Sequence, residues 1–250
     1  LKNRLADGAI GKIEAVAMLG AWPRPESYYR RNQWAGRLKA DSAQVLDSPF
    51  NNAFAHFLNL SLYLAGPTLD SSSKVKVESA SLYRAHDIES FDTAVVLARS
   101  EQDVRFWFGA SHACQQCLEP SIRIIGENGH VDWSHESSCA IYVGEEMTES
   151  QAVPKYAVTR SEMFEAVLRR LKDPRTRICD SSIALCHTAL IEQIHQSTRI
   201  RTISESAIER CYLDNAGATV PAIRGIETRL EAAFATLAPI EDIECEPIGV

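Results

Sequence analysis

The chain has 250 residues, 45% of them hydrophobic, which is enough to bury a sizeable core in one large domain or two small ones. Its formal net charge of -7 leaves no large basic surface to neutralise a phosphate backbone, which argues against a nucleic-acid partner. The longest apolar stretch, residues 54–65, contains polar side chains and is too short to cross a membrane.

The first residues carry no initiator Met and no signal sequence, so we expect a further segment of the protein to precede Leu1. Seven cysteines, scattered from Cys114 to Cys245, are an odd number and lack the dense pattern of a small secreted protein. They favour a reducing compartment, and we expect a cytoplasmic protein.

The N-terminal part of the chain predicts a strand followed by a long loop. Residues 10–19 alternate well enough for a strand. Residues 23–49 have no apolar period, yet they are rich in aromatic and polar side chains, which is typical of a functional loop.

A short, mostly apolar helix is predicted over residues 53–65. Pro49 can begin it, Asn51 or Asn52 can cap it, and the pair Gly66-Pro67 ends it.

The middle of the chain predicts a sheet and the last third predicts helices. The pair Asn128-Gly129 indicates a hairpin turn, because these residues tolerate positive φ angles. A capping box at residues 159–162 predicts a helix start, and Asp180 or Ser181 can cap the next helix. The predicted strands cover residues 74–84, 93–100, 104–112, 121–125, 130–133 and 139–143, and the helices cover 163–171, 181–196, 204–212 and 221–237.

This order predicts an α+β fold, a large, mainly antiparallel open-faced sheet with helices packed on one face, formed by residues 1–250 as a single domain. The uncovered face of such a sheet is commonly buried against a second copy, so we expect a homo-oligomer, a dimer or tetramer.

A polar stripe runs along the predicted helix. Asn52, His56, Asn59 and Tyr63 recur at helical spacing on an otherwise apolar segment. Such a stripe needs partners, either a hydrogen-bond network in the core or a cleft for a polyhydroxylated ligand. Histidine suits proton transfer with an alcohol near neutral pH, and the flanking amides can orient hydroxyls.

Residues 52–66 resemble the catalytic helix of the Gfo/Idh/MocA family (glucose-fructose oxidoreductase, inositol dehydrogenase, rhizopine catabolism), in which an Asp precedes a His by four residues and an apolar run ends in Gly. Further segments resemble that family in the same order along the chain. They are residues 8–13, 83–85, 88–93, 126–129 and 163–167.

The resemblance implies a two-domain oxidoreductase that binds NAD or NADP through an N-terminal Rossmann domain. This sequence contains neither the glycine-rich fingerprint nor a Glu-Lys-Pro segment, so we expect no cofactor-binding residue in this chain. By resemblance His56 is the catalytic acid/base. Asn52 is the second catalytic residue that we predict, at a position where the family usually has Asp. Asn59 is a predicted substrate-binding residue that replaces another frequent Asp, and the preceding Asp47 is a candidate to compensate.

The loop supplies further candidates for substrate binding, namely Tyr28, Arg30, Asn32 and Trp34. Aromatic rings beside polar donors suit the faces of sugars. The alternative is that these side chains anchor a long loop to the core.

A structural zinc site is the alternative interpretation of a second group of residues, because histidine and cysteine are the usual zinc ligands. The group consists of His112, Cys114, Cys117, His130, His135 and Cys139. The second ligand pair at zinc-site spacing is missing, and His112 and Cys114 fall on one face of a predicted strand, where a free cysteine is usually buried. We therefore predict no metal.

Two functions remain open. The first is the substrate-binding and oligomerisation half of a nicotinamide-dependent oxidoreductase acting on the CH-OH group of a sugar, cyclitol or related polyol. The second is a carbohydrate- or protein-recognition module without redox activity, in which the Asn-for-Asp changes record lost chemistry.

Overall fold

A mixed sheet forms the centre of the computed structural model, which describes residues 1–213, 217–240 and 243–245. Nine strands of the described ranges form this sheet, and two short hairpins lie beside it. The strands are β1 (Ile13–Ala21), β2 (Lys39–Ala40), β3 (Ala43–Gln44), β4 (Val75–Arg84), β5 (Thr93–Ser100), β6 (Arg105–Ser111), β7 (Leu118–Gly126), β8 (Gly129–Ser134), β9 (Ser138–Val143), β10 (Glu146–Ala152), β11 (Arg201–Thr202), β12 (Ile208–Leu213) and β13 (Ala218–Ile223).

The helices vary in length from four to 17 residues. They are α1 (Lys2–Ala6), α2 (Glu26–Tyr29), α3 (Ala55–Leu64), α4 (Tyr156–Lys172), α5 (Ser181–Ser197) and α6 (Ile226–Thr236). The predicted cap of α5 is confirmed, because the carboxylate of Asp180 accepts from the backbone N–H groups of Ser182 and Ile183 at 3.0 and 3.2 Å.

The sheet has the strand order β10-β9-β8-β7-β1-β6-β5-β4-β11. Its neighbours are antiparallel except for two parallel pairs, β1 with β6 and β4 with β11. The predicted fold class, a large and mainly antiparallel sheet with helices, is confirmed.

Both faces of the sheet carry buried apolar side chains. On one face, α3 and α5 pack over residues such as Val16, Met18 and Phe108. On the opposite face, α6 packs over Ala17 and Trp107. Helices α3 and α5 thus share one face as expected, while α6 covers part of the other face, an arrangement that helix periodicity alone does not indicate.

Four local predictions were wrong. No side chain of Asn51 or Asn52 caps α3, whose N-terminal residue is preceded by Phe54. The helix α4 begins at Tyr156, so the predicted capping box lies inside it. Residues 208–213 and 218–223 pair as a β-hairpin instead of forming helices, because the two segments hydrogen-bond to each other and only the second contributes buried residues, such as Val220 and Ile223. The edge strand β10 was missed because all of its residues are exposed and it lacks an apolar face.

The β7–β8 hairpin exists as predicted, but for a different reason. Gly126 pairs with Gly129, and neither Asn128 nor Gly129 is among the described residues with positive φ. A Cβ on Gly129 would instead lie 1.9 Å from the carbonyl oxygen of Tyr142 on β9. Glycine is required here by close strand approach.

Helix α4 contains no buried residue. Its exposed side chains include Phe164 and Leu171, which are 57% and 79% exposed. Within the described ranges, none of the helices combines the length and apolar character needed to cross a lipid bilayer.

Candidate active site

Three strand ends meet at one edge of the sheet. Because β1 and β6 are parallel, their C-terminal ends lie side by side, and the backbone N–H groups of Trp22 and Arg24 donate to the carbonyls of Ser111 and His112, both at 3.0 Å. The N–H of His112 donates in turn to Asp92, just before β5, at 2.8 Å. Ligand sites commonly form outside the C-terminal ends of parallel strands.

The start of α3 lies at the same edge. The ring of Phe54, which precedes the helix, lies 4.8 Å from Trp22 and 5.7 Å from His112, measured between ring centroids. This packing places the residue before α3 against the strand ends, whereas the His56 side chain lines a groove with Cys179 and Ile183.

Asn52 is oriented toward the loop and not along the helix. Its amide donates to the Oδ1 atom of Asp47 at 2.9 Å, and the backbone N–H of Gly36 donates to Oδ2 at 2.6 Å. Asp47 is 4% exposed, and burial raises its pKa although both hydrogen bonds oppose that effect. The structure therefore joins Asn52 to the one carboxyl that the sequence offered as compensation.

The other three polar residues of the stripe share a groove of about 420 Å³. His56 is exposed, Asn59 donates from Nδ2 to the sulfur of Cys179 at 3.3 Å, and the Tyr63 hydroxyl donates to the carbonyl of Leu69 at 2.9 Å. The Oδ1 atom of Asn59 is buried without a partner. The stripe is thus a lined groove for three residues, and Asn52 lies outside it because α3 begins at Ala55.

The predicted loop residues are divided between two places. Arg30 and Asn32 line a cavity of about 520 Å³ that also contains Arg84. The Oδ1 atom of Asn32 accepts from two backbone N–H groups and so stabilises a turn, which leaves only its amide nitrogen for a ligand. Tyr28 lies elsewhere, with the guanidinium of Arg31 3.7 Å from its ring centroid.

Trp34 is 41% exposed, and the Arg31 guanidinium lies 5.3 Å from its ring. Some side chains of the loop therefore fasten it, and others remain open to solvent.

A buried ion pair beneath the loop has no signal in the sequence pattern. His86 Nδ1 and Asp92 Oδ2 are 2.8 Å apart with both side chains fully buried. The Nε2 atom of His86 lies 2.7 Å from the carbonyl of Arg24. Burial lowers the pKa of His86, but the hydrogen bond and charge of Asp92 and the Arg24 carbonyl together raise it above the ordinary value.

The zinc candidates do not converge. In the part of the chain that the structure describes, no three His, Cys, Asp or Glu side chains lie close enough to hold a metal ion. Burial raises the pKa of the Cys114 thiol, and burial with Glu119 raises that of Cys117 to about 11. These cysteines are protonated at neutral pH.

The described residues lack the strand–turn–helix unit that commonly holds a dinucleotide. Neither parallel strand pair is joined by a glycine-rich turn that leads directly into a crossover helix, which is the unit that holds a pyrophosphate. No residue of this chain is therefore assigned to NAD or NADP.

A family model for the Gfo/Idh/MocA C-terminal domain matches residues 1–132, more than half of the chain. The chain belongs to the Gfo/Idh/MocA family. The comparison with curated proteins gave no match.

Solved structures share the fold. The WlbA dehydrogenase from Bordetella pertussis, in complex with NADH and UDP-GlcNAcA, is 22% identical with a TM-score of 0.59, over 88% of this chain and 58% of that one. KijD10, a 3-ketoreductase from Actinomadura kijaniata in complex with TDP-benzene and NADP, is 11% identical with a TM-score of 0.56, over 81% of this chain and 58% of that one. The chain thus spans less than two thirds of the length of these relatives.

Proposed function

We propose that this chain is the substrate-binding and oligomerisation half of a nicotinamide-dependent oxidoreductase that acts on the CH-OH group of a sugar, cyclitol or related polyol. The observation that carries this proposal is the exposed His56 on the first turn of α3, in a groove that Asn59 and Tyr63 also line. Family membership supports it, as do the nucleotide-linked ligands and nicotinamide cofactors of WlbA and KijD10.

His56 acts as the acid/base for the substrate hydroxyl, and the groove lined by Asn59 and Tyr63 offers polar groups beside it. Asn52 holds the buried Asp47 carboxyl near the start of the same helix and is a positioning residue. NAD or NADP, bound by an N-terminal Rossmann domain in the full-length protein, would accept or supply the hydride. Tyr28, Arg30 and Trp34 remain candidates for substrate contact, together with the amide of Asn32.

Self-association is part of this proposal and uses the uncovered face of the sheet at β7 to β10. There the rings of His130 and Tyr142 stack at 4.4 Å, and Met147 is 55% exposed. A flat, partly apolar surface of this kind suits burial against a second copy. Sedimentation velocity that shows only monomer at micromolar concentration would contradict this part of the proposal.

Calorimetry with NAD and NADP tests the proposal that the cofactor is bound by the upstream domain and not by this chain. We expect no binding by this chain and micromolar or tighter binding by the version extended through its upstream domain. Absence of binding by both versions would instead favour the recognition module without redox activity. Binding by this chain alone would show that the cofactor site has been placed in the wrong half.

A further inference from the structure

Apolar side chains form a continuous stripe along one face of α4. Phe164, Leu168 and Leu171 recur at helical spacing, with Met163 and Val167 beside them, and each of these side chains is between 42% and 79% exposed. None of the 17 residues of the helix is buried. Soluble domains rarely expose a contiguous apolar surface of this kind unless a partner binds it, so the stripe indicates a binding surface.

The helix also lacks the packing that usually stabilises helices in proteins. A 17-residue helix without such packing is only marginally stable in water, because most helical stability comes from burying an amphipathic face. The helix is fastened near its ends, where Lys155 Nζ lies 3.6 Å from the Glu136 carboxylate and the Arg170 guanidinium donates to the carbonyl of Thr176 at 2.8 Å. Between these ends, no part of the described chain covers the stripe.

The segment that follows α4 forms part of the His56 groove. Arg177, Ile178 and Cys179 line this groove together with His56. In the proposed reaction a nicotinamide must reach the substrate carbon at this groove, so the domain that carries the nicotinamide lies over residues 177–179. The stripe ends at Leu171, six residues before Arg177. A small domain is about 30 Å across, so one that covers the groove also reaches α4.

The N-terminal helix α1 contacts the same segment. The Arg177 guanidinium donates to the Oδ1 atom of Asn3 at 3.1 Å and pairs with the Asp70 carboxylate at 3.1 Å. This chain covers 58% of the length of WlbA and of KijD10, and in the proposed full-length protein the upstream domain joins it at Leu1. The point of attachment, the His56 groove and the C-terminal end of α4 therefore lie close together.

We infer that the apolar stripe of α4 is the docking surface for the upstream, cofactor-binding domain of the same protein. The inference rests on the proposed function and adds the interface that holds the nicotinamide over the His56 groove. Residues 155–177 contain seven basic and three acidic residues, in a chain whose net charge is -7. The surface that packs on the stripe is therefore apolar with an acidic rim.

Hydrogen exchange followed by mass spectrometry tests this inference on the backbone amides of α4. We expect their exchange to be at least about tenfold slower in the full-length protein than in this chain, because a packed helix opens less often than an unpacked one. Phe164→Glu should restore fast exchange in the full-length protein. Tyr212→Glu is the matched control, since Tyr212 is also exposed, at 66%, but lies on the β12–β13 hairpin. It should leave the exchange of α4 within about twofold.

Thermal unfolding of the same variants separates docking from folding. Phe164 is exposed in this chain, so Phe164→Glu should shift the Tm of this chain by about 2 °C or less. Faster exchange in the full-length variant then reports the loss of docking.

Equal exchange of α4 in this chain and in the full-length protein overturns the inference. Slow exchange in this chain alone that becomes slower with increasing protein concentration assigns the stripe to a second copy and also overturns it. Calorimetry with NAD and NADP on the full-length protein keeps the two failures distinct. Cofactor binding without protection of α4 rejects the docking surface and leaves the proposed function intact, whereas absence of cofactor binding counts against the proposed function.

Discussion

In the full-length protein, His56→Ala is expected to lower kcat by about 10²–10⁴-fold, the usual contribution of a general acid/base. The effect should fall mainly on kcat, because the residue transfers a proton during the chemical step while other groups hold the substrate. Steady-state kinetics with any active polyol measures the change.

Loss of folding will not explain this result. The His56 side chain is exposed and makes no hydrogen bond among the described residues, so thermal unfolding of the variant should match that of the wild type. Glu101→Ala, in the exposed turn between β5 and β6, is the control variant and should retain kcat. If His56→Ala turned over substrate at the wild-type rate, the assignment of the acid/base would be wrong.

Asp92→Ala is expected to lower the free energy of unfolding by about 3–5 kcal/mol, because it leaves a buried histidine without its charged partner. The Asp92 carboxylate is fully buried and accepts from the backbone N–H groups of Ala85 and His86, both at 2.8 Å, as well as from the His86 ring. Urea unfolding at pH 6 measures the loss. Asp132→Ala, which breaks the more exposed pair with Arg123, is the control and should cost about 1 kcal/mol or less.

The pair of His86 and Asp92 also determines the direction in which the stability of the fold changes with pH. The pKa of His86 in the folded protein is above the value near 6.5 expected in the unfolded chain, so the folded state holds the proton more tightly. The stabilisation from protonated His86 is complete below the unfolded pKa and disappears as the pH rises through the folded pKa. Asp92→Ala should remove this component from the wild-type profile. A variant that kept the wild-type stability and slope would contradict the assigned pair.

Local patterns in the sequence identify most of the elements of this fold. Residues 93–100 have the composition of a strand and occupy β5, and the apolar run over residues 53–65 contains α3. Local patterns do not predict which strands pair, because β1 pairs with β6, about 90 residues further along the chain. Local patterns fail for residues 208–213 as well, since pairing with the partner strand β13 determines that they form β12.

Part of the candidate site can also be predicted from local patterns in the sequence. Helical spacing correctly groups His56, Asn59 and Tyr63, which line one groove. The spacing argument fails for Asn52, because the helix starts three residues later and the side chain turns to Asp47. The proximity of Arg24 and His112 has no local signal in the sequence, since only the parallel pairing of two distant strands brings these residues together.

Isotope transfer in the full-length protein tests the central claim most directly. The protein is incubated with NAD or NADP and with neutral, acidic and phosphorylated sugars that carry deuterium on the carbinol carbon, and the nicotinamide is analysed by mass spectrometry. We predict that deuterium from at least one sugar appears in the reduced nicotinamide and that His56→Ala suppresses the transfer. Sugar binding without any deuterium transfer would contradict the oxidoreductase and identify the protein as a recognition module.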